Sequence, residues 1–206
     1  MRSAIILVGG DARRAGGQAK YFFSIRGKTF IERLLETLQR VVGEIIIVAK
    51  DPLQCAQFSR MEGVQCVSDV KKGIGPIGGL HAGMLHATGD TLFVAACDMP
   101  CINRDVVEHL FTLINDYDAV VPCWDMERFE PLHAVYRRVA LARYLEGTHS
   151  QSLRAMVQSM RALYVPVDNL KRYDPMLLTF TNINRLEDLD RVRSLLEGGG
   201  GGYRHL

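Results

Sequence analysis

The chain has 206 residues, of which 48% are hydrophobic and 23% charged, which predicts one well-packed core and argues against disorder. Its formal net charge of +2 gives no reason to expect a nucleic-acid partner. Apolar runs stay far below transmembrane length, so we expect no membrane partner and a cytoplasmic location. The five cysteines form no CxxC pair and are predicted to be buried or free thiols in a reducing compartment.

Apolar periodicity in the first half of the chain predicts strands alternating with helices. Strands are predicted at 4–8, 44–49, 64–68 and 91–96. Helices are predicted at 30–42, 79–87 and 103–115, with a further helix opened by Asp51 and Pro52. This alternation predicts an α/β fold with a three-layer, doubly wound, mostly parallel sheet of Rossmann-like type.

The second half of the chain has a more mixed pattern. Strands are predicted at 119–121, 132–136, 162–167 and 180–183, and helices at 139–146 and 150–159. Asn184 is predicted to cap a last helix, with Glu187 completing a capping box. We expect a single domain over residues 1–197, followed by a flexible glycine-rich tail at 198–206.

The loop after the first predicted strand combines glycines with basic residues. Its chemistry-bearing members are Gly9, Gly10, Arg13, Arg14, Gly16, Gly17 and Lys20. Glycine lets the backbone approach a ligand and turn N–H groups toward phosphate oxygens, while arginine and lysine neutralise phosphate charge. The pattern therefore favours an anion site over a plain connecting turn. No Gly-Lys-Ser/Thr follows, so this is not a Walker A loop.

A second glycine-rich loop lies at 73–79 and includes Gly75 and Pro76. It formally contains G-x-G-x-x-G, which makes an NAD(P)-binding oxidoreductase the rival hypothesis. That fingerprint should begin at the end of a strand, yet four residues intervene here. Asp69, directly after the third strand, is equally suited to binding a ribose or base and to starting a turn.

Asp98 follows the fourth predicted strand and precedes a proline. A carboxylate just beyond the carboxyl end of a strand and facing a polyphosphate would repel the phosphate charges unless a cation lay between them. Mg²⁺ takes one or two carboxylates together with phosphate oxygens. With two glycine loops converging on the same edge, Mg²⁺ binding by Asp98 is favoured over a local turn role.

On these residues the chain resembles the molybdenum cofactor guanylyltransferases, within the nucleotide-sugar-pyrophosphorylase-like nucleotidyltransferases. The segments that carry the resemblance are LVGGDARRAGGQAK at 7–20, GPIGG at 75–79, CDMP at 97–100, EPLHAVY at 130–136 and FTNIN at 180–184. The chain departs from the family pattern at Val8, Ala15, Ala19 and Arg185, and it has Lys50 where the family often has asparagine.

The resemblance implies transfer of GMP from GTP to the terminal phosphate of molybdopterin, with Mg²⁺ as cofactor and pyrophosphate as product. It implies that Leu7, Val8, Gly9, Lys20, Asp69 and Asp98 bind GTP, and that Asp98 also binds Mg²⁺. Asn182 and Asn184 are then placed near the molybdopterin pocket. Arg14, Lys20 and Asp98 are the expected catalytic residues, and transient contact with cofactor-synthesis or acceptor proteins is expected.

Several alternatives stay open at this point. A cytidylyltransferase, or a guanylyltransferase for another phosphorylated acceptor, differs only in a few loop contacts. A nucleotide sensor without activity and the NAD(P) oxidoreductase are less favoured. Among the later residues, His133 is interpreted as a core histidine with satisfied hydrogen bonds rather than a base. The Trp124 side chain, near Glu130, is interpreted as a packing residue rather than as a surface on which a pterin stacks.

Overall fold

A computed structural model describes residues 1–9, 20–68, 75–147 and 150–198 of the chain. The strands are β1 (Arg2–Leu7), β2 (Ser24–Ile25), β3 (Lys28–Thr29), β4 (Glu44–Ala49), β5 (Gln65–Ser68), β6 (Thr91–Ala96), β7 (Ala119–Cys123), β8 (His133–Arg137) and β9 (Ala162–Pro166). The helices are α1 (Phe30–Leu38), α2 (Pro52–Ala56), α3 (Pro76–His86), α4 (Arg104–Thr112), α5 (Arg138–Gly147), α6 (Leu153–Gln158) and α7 (Leu186–Gly198). Short 3₁₀ turns lie at Lys20–Phe22, Val167–Leu170 and Leu178–Phe180.

Seven strands form one sheet in the order β5-β4-β1-β6-β8-β7-β9. The pairs β1–β4, β1–β6, β4–β5 and β7–β9 are parallel, whereas β8 is antiparallel to both of its neighbours. The mostly parallel sheet is therefore confirmed. All strands except β8 end at the same edge, which we call the carboxyl edge of the sheet.

Helices cover both faces of the sheet, which confirms the three-layer arrangement. Alternate residues of β1 separate onto the two faces, with Ile6 packing against the α1 and α4 side and Ile5 against the α3 and α5 side. This alternation follows from the two-residue repeat of a strand, and burial on both faces explains the continuous apolar run at 4–8. No helix among the described residues is long and apolar enough to cross a membrane.

Local hydrogen bonds define several helix starts. Thr29 and Glu32 form a capping box at α1, and the Asp51 side chain accepts the N–H of Gln54 at α2. Asn103 caps α4 by accepting the N–H groups of Asp105 and Val106. The helix predicted after Asp51 and Pro52 is confirmed.

Helix α3 lies unusually close to the sheet because it carries glycines on its inner face. A Cβ atom at Gly83 would lie 2.6 Å from Cγ2 of Ile5, and one at Gly79 would lie 3.1 Å from Cδ2 of Leu7. Only glycine permits this approach without displacing the β1 side chains. The contact fixes the start of α3 beside the end of β1. The helix begins at Pro76, three residues before its predicted start.

The structure corrects the predicted C-terminal strand and helix cap. Residues 180–183 are not a strand, because Ile183 bonds to the Asp98 carbonyl beyond the end of β6, where no ladder continues. The final helix begins at Leu186, so its third residue is Asp188 rather than Glu187. The Asp188 carboxylate accepts the backbone N–H groups of Asn184 and Arg185, both at 2.9 Å.

Two further expectations from the sequence were wrong. Helix α1 ends at Leu38 rather than at 42, and the following apolar residues pack into the core from a turn.

Cys55 and Cys66 form a disulfide between α2 and β5, with their Cα atoms 5.7 Å apart, which is within the usual range. The fold brings these distant positions together; Cys97, Cys101 and Cys123 are thiols. The single domain and its tail stay predictions.

Candidate active site

The ends of β1 and β6 place Asp98 beside the start of the first glycine-rich loop. Leu7 is paired with Ala96 in the parallel ladder, and the N–H of Cys97 donates to the Leu7 carbonyl at 3.1 Å. Parallel neighbours run roughly 5 Å apart, so Asp98 and Gly9 leave the sheet about one strand spacing from each other. Asp98 therefore lies beside Gly9, the last described residue before this loop, at the carboxyl edge.

Val8 and Gly9 extend β1 toward the β4 side of the site. The N–H of Val8 donates to the Val48 carbonyl at 3.0 Å, and Val8 is buried. Gly9 is exposed, and a Cβ atom at this position would lie 3.9 Å from Cβ of Lys50. Lys50 is exposed beside Gly9 and adds a cation at this edge.

Gln54, which the sequence did not indicate as a site residue, is bonded to both ends of the first loop. Its Nε2 donates to the Val8 carbonyl at 3.3 Å and to the Tyr21 hydroxyl at 3.1 Å. Its Oε1 accepts the Lys50 N–H at 2.7 Å, and the side chain is 5% exposed. Gln54 therefore holds Val8, before the loop, and Tyr21, after it, at a fixed separation. A single glutamine in a five-residue helix gives no sequence signal of this role.

We expect Gln54→Leu to destabilise the protein by about 1–3 kcal/mol, because it leaves buried backbone groups without partners. The Kd for GTP should rise several-fold, since the two ends of the glycine loop are no longer tied together. Urea unfolding and GTP titration measure the two effects. The matched control is Gln158→Leu at an exposed helical glutamine, which should change neither. Unchanged GTP affinity in a destabilised Gln54→Leu protein would assign Gln54 to stability alone.

The second glycine-rich loop enters the site as the start of α3. Gly75 has φ +65°, a conformation that favours glycine, and Pro76 occupies the first helical turn. The Gly78 N–H donates to the Gly75 carbonyl at 3.1 Å. The helix follows β5, which is the edge strand of the sheet. A dinucleotide fingerprint instead opens a helix right after a strand, so this geometry disfavours the rival hypothesis.

The predicted acceptor segment lies against the other side of Asp98. The N–H of Ile183 donates to the Asp98 carbonyl at 2.8 Å, and the Ile183 side chain is fully buried. Asn182 and Asn184 flank Ile183 and are both exposed. Burial of Ile183 anchors the segment, and its two neighbours remain accessible beside Asp98. The structure thus brings together Leu7, Val8, Gly9, Asp98, Asn182 and Asn184.

His133 lies in the core below this segment. It is fully buried, with its ring edge-on to Phe93 and Phe180 at 5.1 and 4.8 Å. Its Nε2 is 3.3 Å from the Thr179 hydroxyl, whereas Nδ1 has no partner within the described residues. Burial lowers the pKa of His133 to about 3, so the ring is neutral near pH 7. The core position of His133 agrees with the sequence-based interpretation. The interpretation also expected satisfied hydrogen bonds, and Nδ1 differs from it because it has none within the described residues.

Other predicted site residues lie outside the described part of the chain. They are Gly10, Arg14, Gly16, Gly17 and Asp69. Lys20 begins the 3₁₀ turn at Lys20–Phe22, and its backbone position is defined. It directly precedes Tyr21, whose hydroxyl bonds to Gln54 and Gln57. The predicted roles of these six residues stay predictions.

The described residues are compatible with a Mg²⁺ ion shared between protein and substrate. They contain no group of three or more His, Cys, Asp or Glu side chains arranged to hold a metal. Mg²⁺ in nucleotide-handling proteins is commonly bound through one or two carboxylates plus substrate phosphates, with several waters retained. Asp98 is partly exposed at the carboxyl edge and would supply one such carboxylate. The donor set therefore fits Mg²⁺ brought in with a triphosphate rather than a preformed all-protein site.

Comparison with known proteins gives consistent matches over nearly the whole chain. The profile of the MobA-like NTP transferase domain matches residues 4–192. A probable molybdenum cofactor guanylyltransferase of Methanosarcina acetivorans is 38% identical over 202 residues, covering 93% of this chain and 89% of that protein. A molybdenum cofactor guanylyltransferase of Desulfosudis oleivorans is 31% identical, covering 96% of each chain.

The fold comparison agrees with the sequence comparison. The crystal structure of molybdopterin-guanine dinucleotide biosynthesis protein A from Archaeoglobus fulgidus superposes with a TM-score of 0.78 at 31% identity. The match covers 96% of this chain and all of that one. Sequence and fold agree, and this chain belongs to the MobA-like NTP transferase family.

Proposed function

We propose that this nucleotidyltransferase transfers GMP from GTP to the terminal phosphate of molybdopterin and releases pyrophosphate. The proposal depends above all on the position of Asp98: the N–H of the preceding Cys97 donates to the Leu7 carbonyl, and the Asp98 carbonyl accepts the N–H of Ile183. A nucleotide on the first glycine loop and an acceptor beside Asn182 would then meet at the same carboxylate. Relatives named molybdenum cofactor guanylyltransferase support this choice of substrates.

In the proposed complex the first loop holds the triphosphate. Backbone N–H groups at Gly9, Gly10, Gly16 and Gly17, with Arg14 and Lys20, bind and neutralise the phosphates. Leu7, Val8 and Asp69 contact the nucleoside, and Gly75 and Pro76 close this side of the site. Asp98 holds the cation, and Asn182 and Asn184 face the acceptor. When bound, Mg²⁺ neutralises phosphate charge and orients the reacting oxygens.

Transfer then requires positioning rather than a dedicated protein base. The terminal phosphate of the acceptor is already ionised at neutral pH, so one of its oxygens can attack the α-phosphorus directly. The bond to the pyrophosphate oxygen breaks as the new P–O bond forms, and both electrons of the broken bond leave with pyrophosphate. Holding the two substrates in line, and neutralising the developing charge, supplies the rate enhancement. His133 is fully buried in the core, so the proposed mechanism assigns it no proton transfer.

Ligand-dependent stability tests the nucleotide half of this proposal. A ligand at 100 times its Kd stabilises the folded state by about 2.7 kcal/mol, which raises Tm by about 5–10 °C in a domain of this size. We expect GTP with Mg²⁺ to give such a shift, and CTP, UTP and NADH to give much smaller ones. A comparable shift with CTP would indicate a cytidylyltransferase, and a shift with NADH alone would contradict the proposal.

Two further expectations stay predictions at this stage. The family assignment agrees with a cytoplasmic enzyme, and transient contacts with cofactor-synthesis or acceptor proteins follow from the nature of the product. An acceptor other than molybdopterin is the second candidate within the same reaction class. Pyrophosphate release on adding molybdopterin distinguishes these candidates and also separates an enzyme from a nucleotide sensor.

A further inference from the structure

Trp124 lies on the side of Asp98 that the nucleotide-binding elements leave unused. It directly follows β7, which runs parallel to β6 because β8 is antiparallel to both. The carboxyl ends of β6 and β7 are two strand spacings apart, roughly 10 Å. Gly9, Gly75 and the carboxyl end of β5 lie on the opposite side, toward β4 and β5. A ligand reaching Trp124 therefore extends away from the nucleotide side.

The loop that carries Trp124 is held by its own hydrogen bonds. The backbone N–H of Trp124 donates to the Arg128 carbonyl at 2.8 Å. The Asp125 carboxylate accepts the backbone N–H groups of Glu127 and Arg128. Asp125 also pairs with the Arg128 guanidinium at 2.6 Å. The Glu130 N–H then donates to the Pro122 carbonyl at 2.9 Å. These bonds fix the backbone of the loop that carries the indole.

The indole ring is oriented by two contacts and left partly accessible. Its Nε1 donates to Oε1 of Glu130 at 2.8 Å. Its ring packs edge to face against Phe180, with centroids 5.9 Å apart, and Phe180 precedes the segment that carries Asn182. Trp124 is nevertheless 44% exposed, whereas Phe180 is 5% exposed. An aromatic side chain that served only for packing would be expected to bury more of its apolar surface.

Glu130 adds a hydrogen-bond acceptor beside this exposed ring. One carboxylate oxygen accepts the indole N–H, and the other has no hydrogen bond within the described part of the chain. His133 pairs with Ala95 in the β6–β8 ladder, and the Ala96 N–H donates to the Leu132 carbonyl at 3.2 Å, so the segment that leads from Glu130 into β8 reaches the end of β6 at Leu132. An aromatic face next to a carboxylate suits a flat heterocycle with N–H groups along one edge.

We propose that Trp124 and Glu130 form the subsite for the heterocyclic ring of the acceptor, with the ring stacked on the indole and its N–H edge bonded to Glu130. This inference rests on the proposed function, because it assumes that the acceptor is a pterin carrying a terminal phosphate. The ring end sits at Trp124, and the phosphate end reaches toward Asp98. Trp124 acts by binding and takes no part in the bond-making step.

The chain contains a single tryptophan, so its fluorescence reports directly on this subsite. Molybdopterin should quench the tryptophan emission, and GTP with Mg²⁺ should not. Stacking of a base on an aromatic side chain is typically worth roughly tenfold or more in affinity, so Trp124→Ala should raise the acceptor KM by that factor. The Kd for GTP, read by thermal shift, should stay within twofold. Trp124→Phe keeps an aromatic face and should recover most of the loss.

Matched variants separate stacking from loop disruption. Met126→Ala changes a side chain that is 89% exposed on the same loop and should leave the acceptor KM unchanged. Glu130→Gln keeps an oxygen for the indole N–H but removes the charge, and it should raise the acceptor KM by a few-fold. An acceptor KM within twofold of the wild type in Trp124→Ala would overturn the proposal. Weaker GTP binding in that variant, or quenching by GTP alone, would also overturn it by assigning the ring to the nucleotide.

These outcomes are distinct from failure of the proposed function. If the wild-type protein forms no product from GTP and molybdopterin, the proposed reaction is wrong, while quenching by molybdopterin still supports the ring subsite. If product forms normally and the tryptophan emission does not respond to molybdopterin, the reaction stands and the subsite is wrong.

Discussion

Replacing Asp98 with asparagine is expected to reduce turnover by about a thousandfold or more while leaving the fold intact. Several kcal/mol of charge stabilisation depend on the cation in metal-assisted phosphoryl transfer, and each 1.36 kcal/mol is worth about tenfold in rate. Asparagine has the same shape as aspartate but lacks the negative charge that attracts Mg²⁺. The backbone bond from Ile183 to the Asp98 carbonyl does not involve the side chain and should persist.

Steady-state pyrophosphate release and thermal unfolding measure the two parts of this expectation. Asp116→Asn is the matched control, because Asp116 is exposed in the segment that leads into β7, at the opposite edge of the sheet. It should keep wild-type turnover. In Asp98→Asn the stabilisation by GTP should also lose its dependence on Mg²⁺. Near-normal turnover of Asp98→Asn with Mg²⁺ would show that this carboxylate is not the metal ligand.

Replacing Lys20 with alanine is expected to raise the Kd for GTP by roughly 10- to 100-fold. A hydrogen bond to a charged group contributes about 1.5–3 kcal/mol, and the loss applies only to a ligand that carries phosphates. Binding of guanosine should therefore be unaffected by the same substitution. The backbone at Lys20 is fixed by the 3₁₀ turn and by the neighbouring Tyr21, so the substitution should not displace the chain.

Isothermal titration with GTP and with guanosine separates phosphate recognition from general damage. Lys28→Ala is the control, since the Lys28 ammonium pairs with Glu36 at 2.7 Å on the exposed hairpin strand β3. That variant should bind both ligands normally. If Lys20→Ala binds GTP as tightly as the wild type does, Lys20 is not part of the phosphate site. If the affinities for GTP and for guanosine fall by the same factor, the substitution has displaced the loop.

The sequence predicted the parallel part of the sheet well because burial on both faces leaves a clear signal. The runs at 4–8, 45–49 and 92–96 are apolar without interruption, and they supply most of β1, β4 and β6. Asp98 stands out after such a run, so its place at the carboxyl edge could be inferred from one residue. The position of Asp98 beside the end of β1 then follows from the parallel pairing of β1 with β6.

The features that the sequence did not predict depend on contacts between distant segments. Gln54 bonds to Val8 and Tyr21, and Cys55 reaches Cys66, only after β4, α2 and β5 have folded together. The stretch at 180–183 has the composition of a strand, yet Ile183 is buried beside Asp98 without a ladder partner. Tertiary packing overrides local propensity at these places. The exposure of Trp124 is likewise set by where β7 ends rather than by nearby residues.

Formation of a guanine dinucleotide of molybdopterin is the measurement that tests the central claim most directly. Purified protein is incubated with molybdopterin, Mg²⁺ and GTP labelled at the α-phosphate, and the products are separated. We predict that the label appears in the pterin product, in a one-to-one ratio with released pyrophosphate, and that labelled CTP gives far less. Label retained in GTP under conditions in which the nucleotide binds, or label transferred from CTP in preference, would contradict the account.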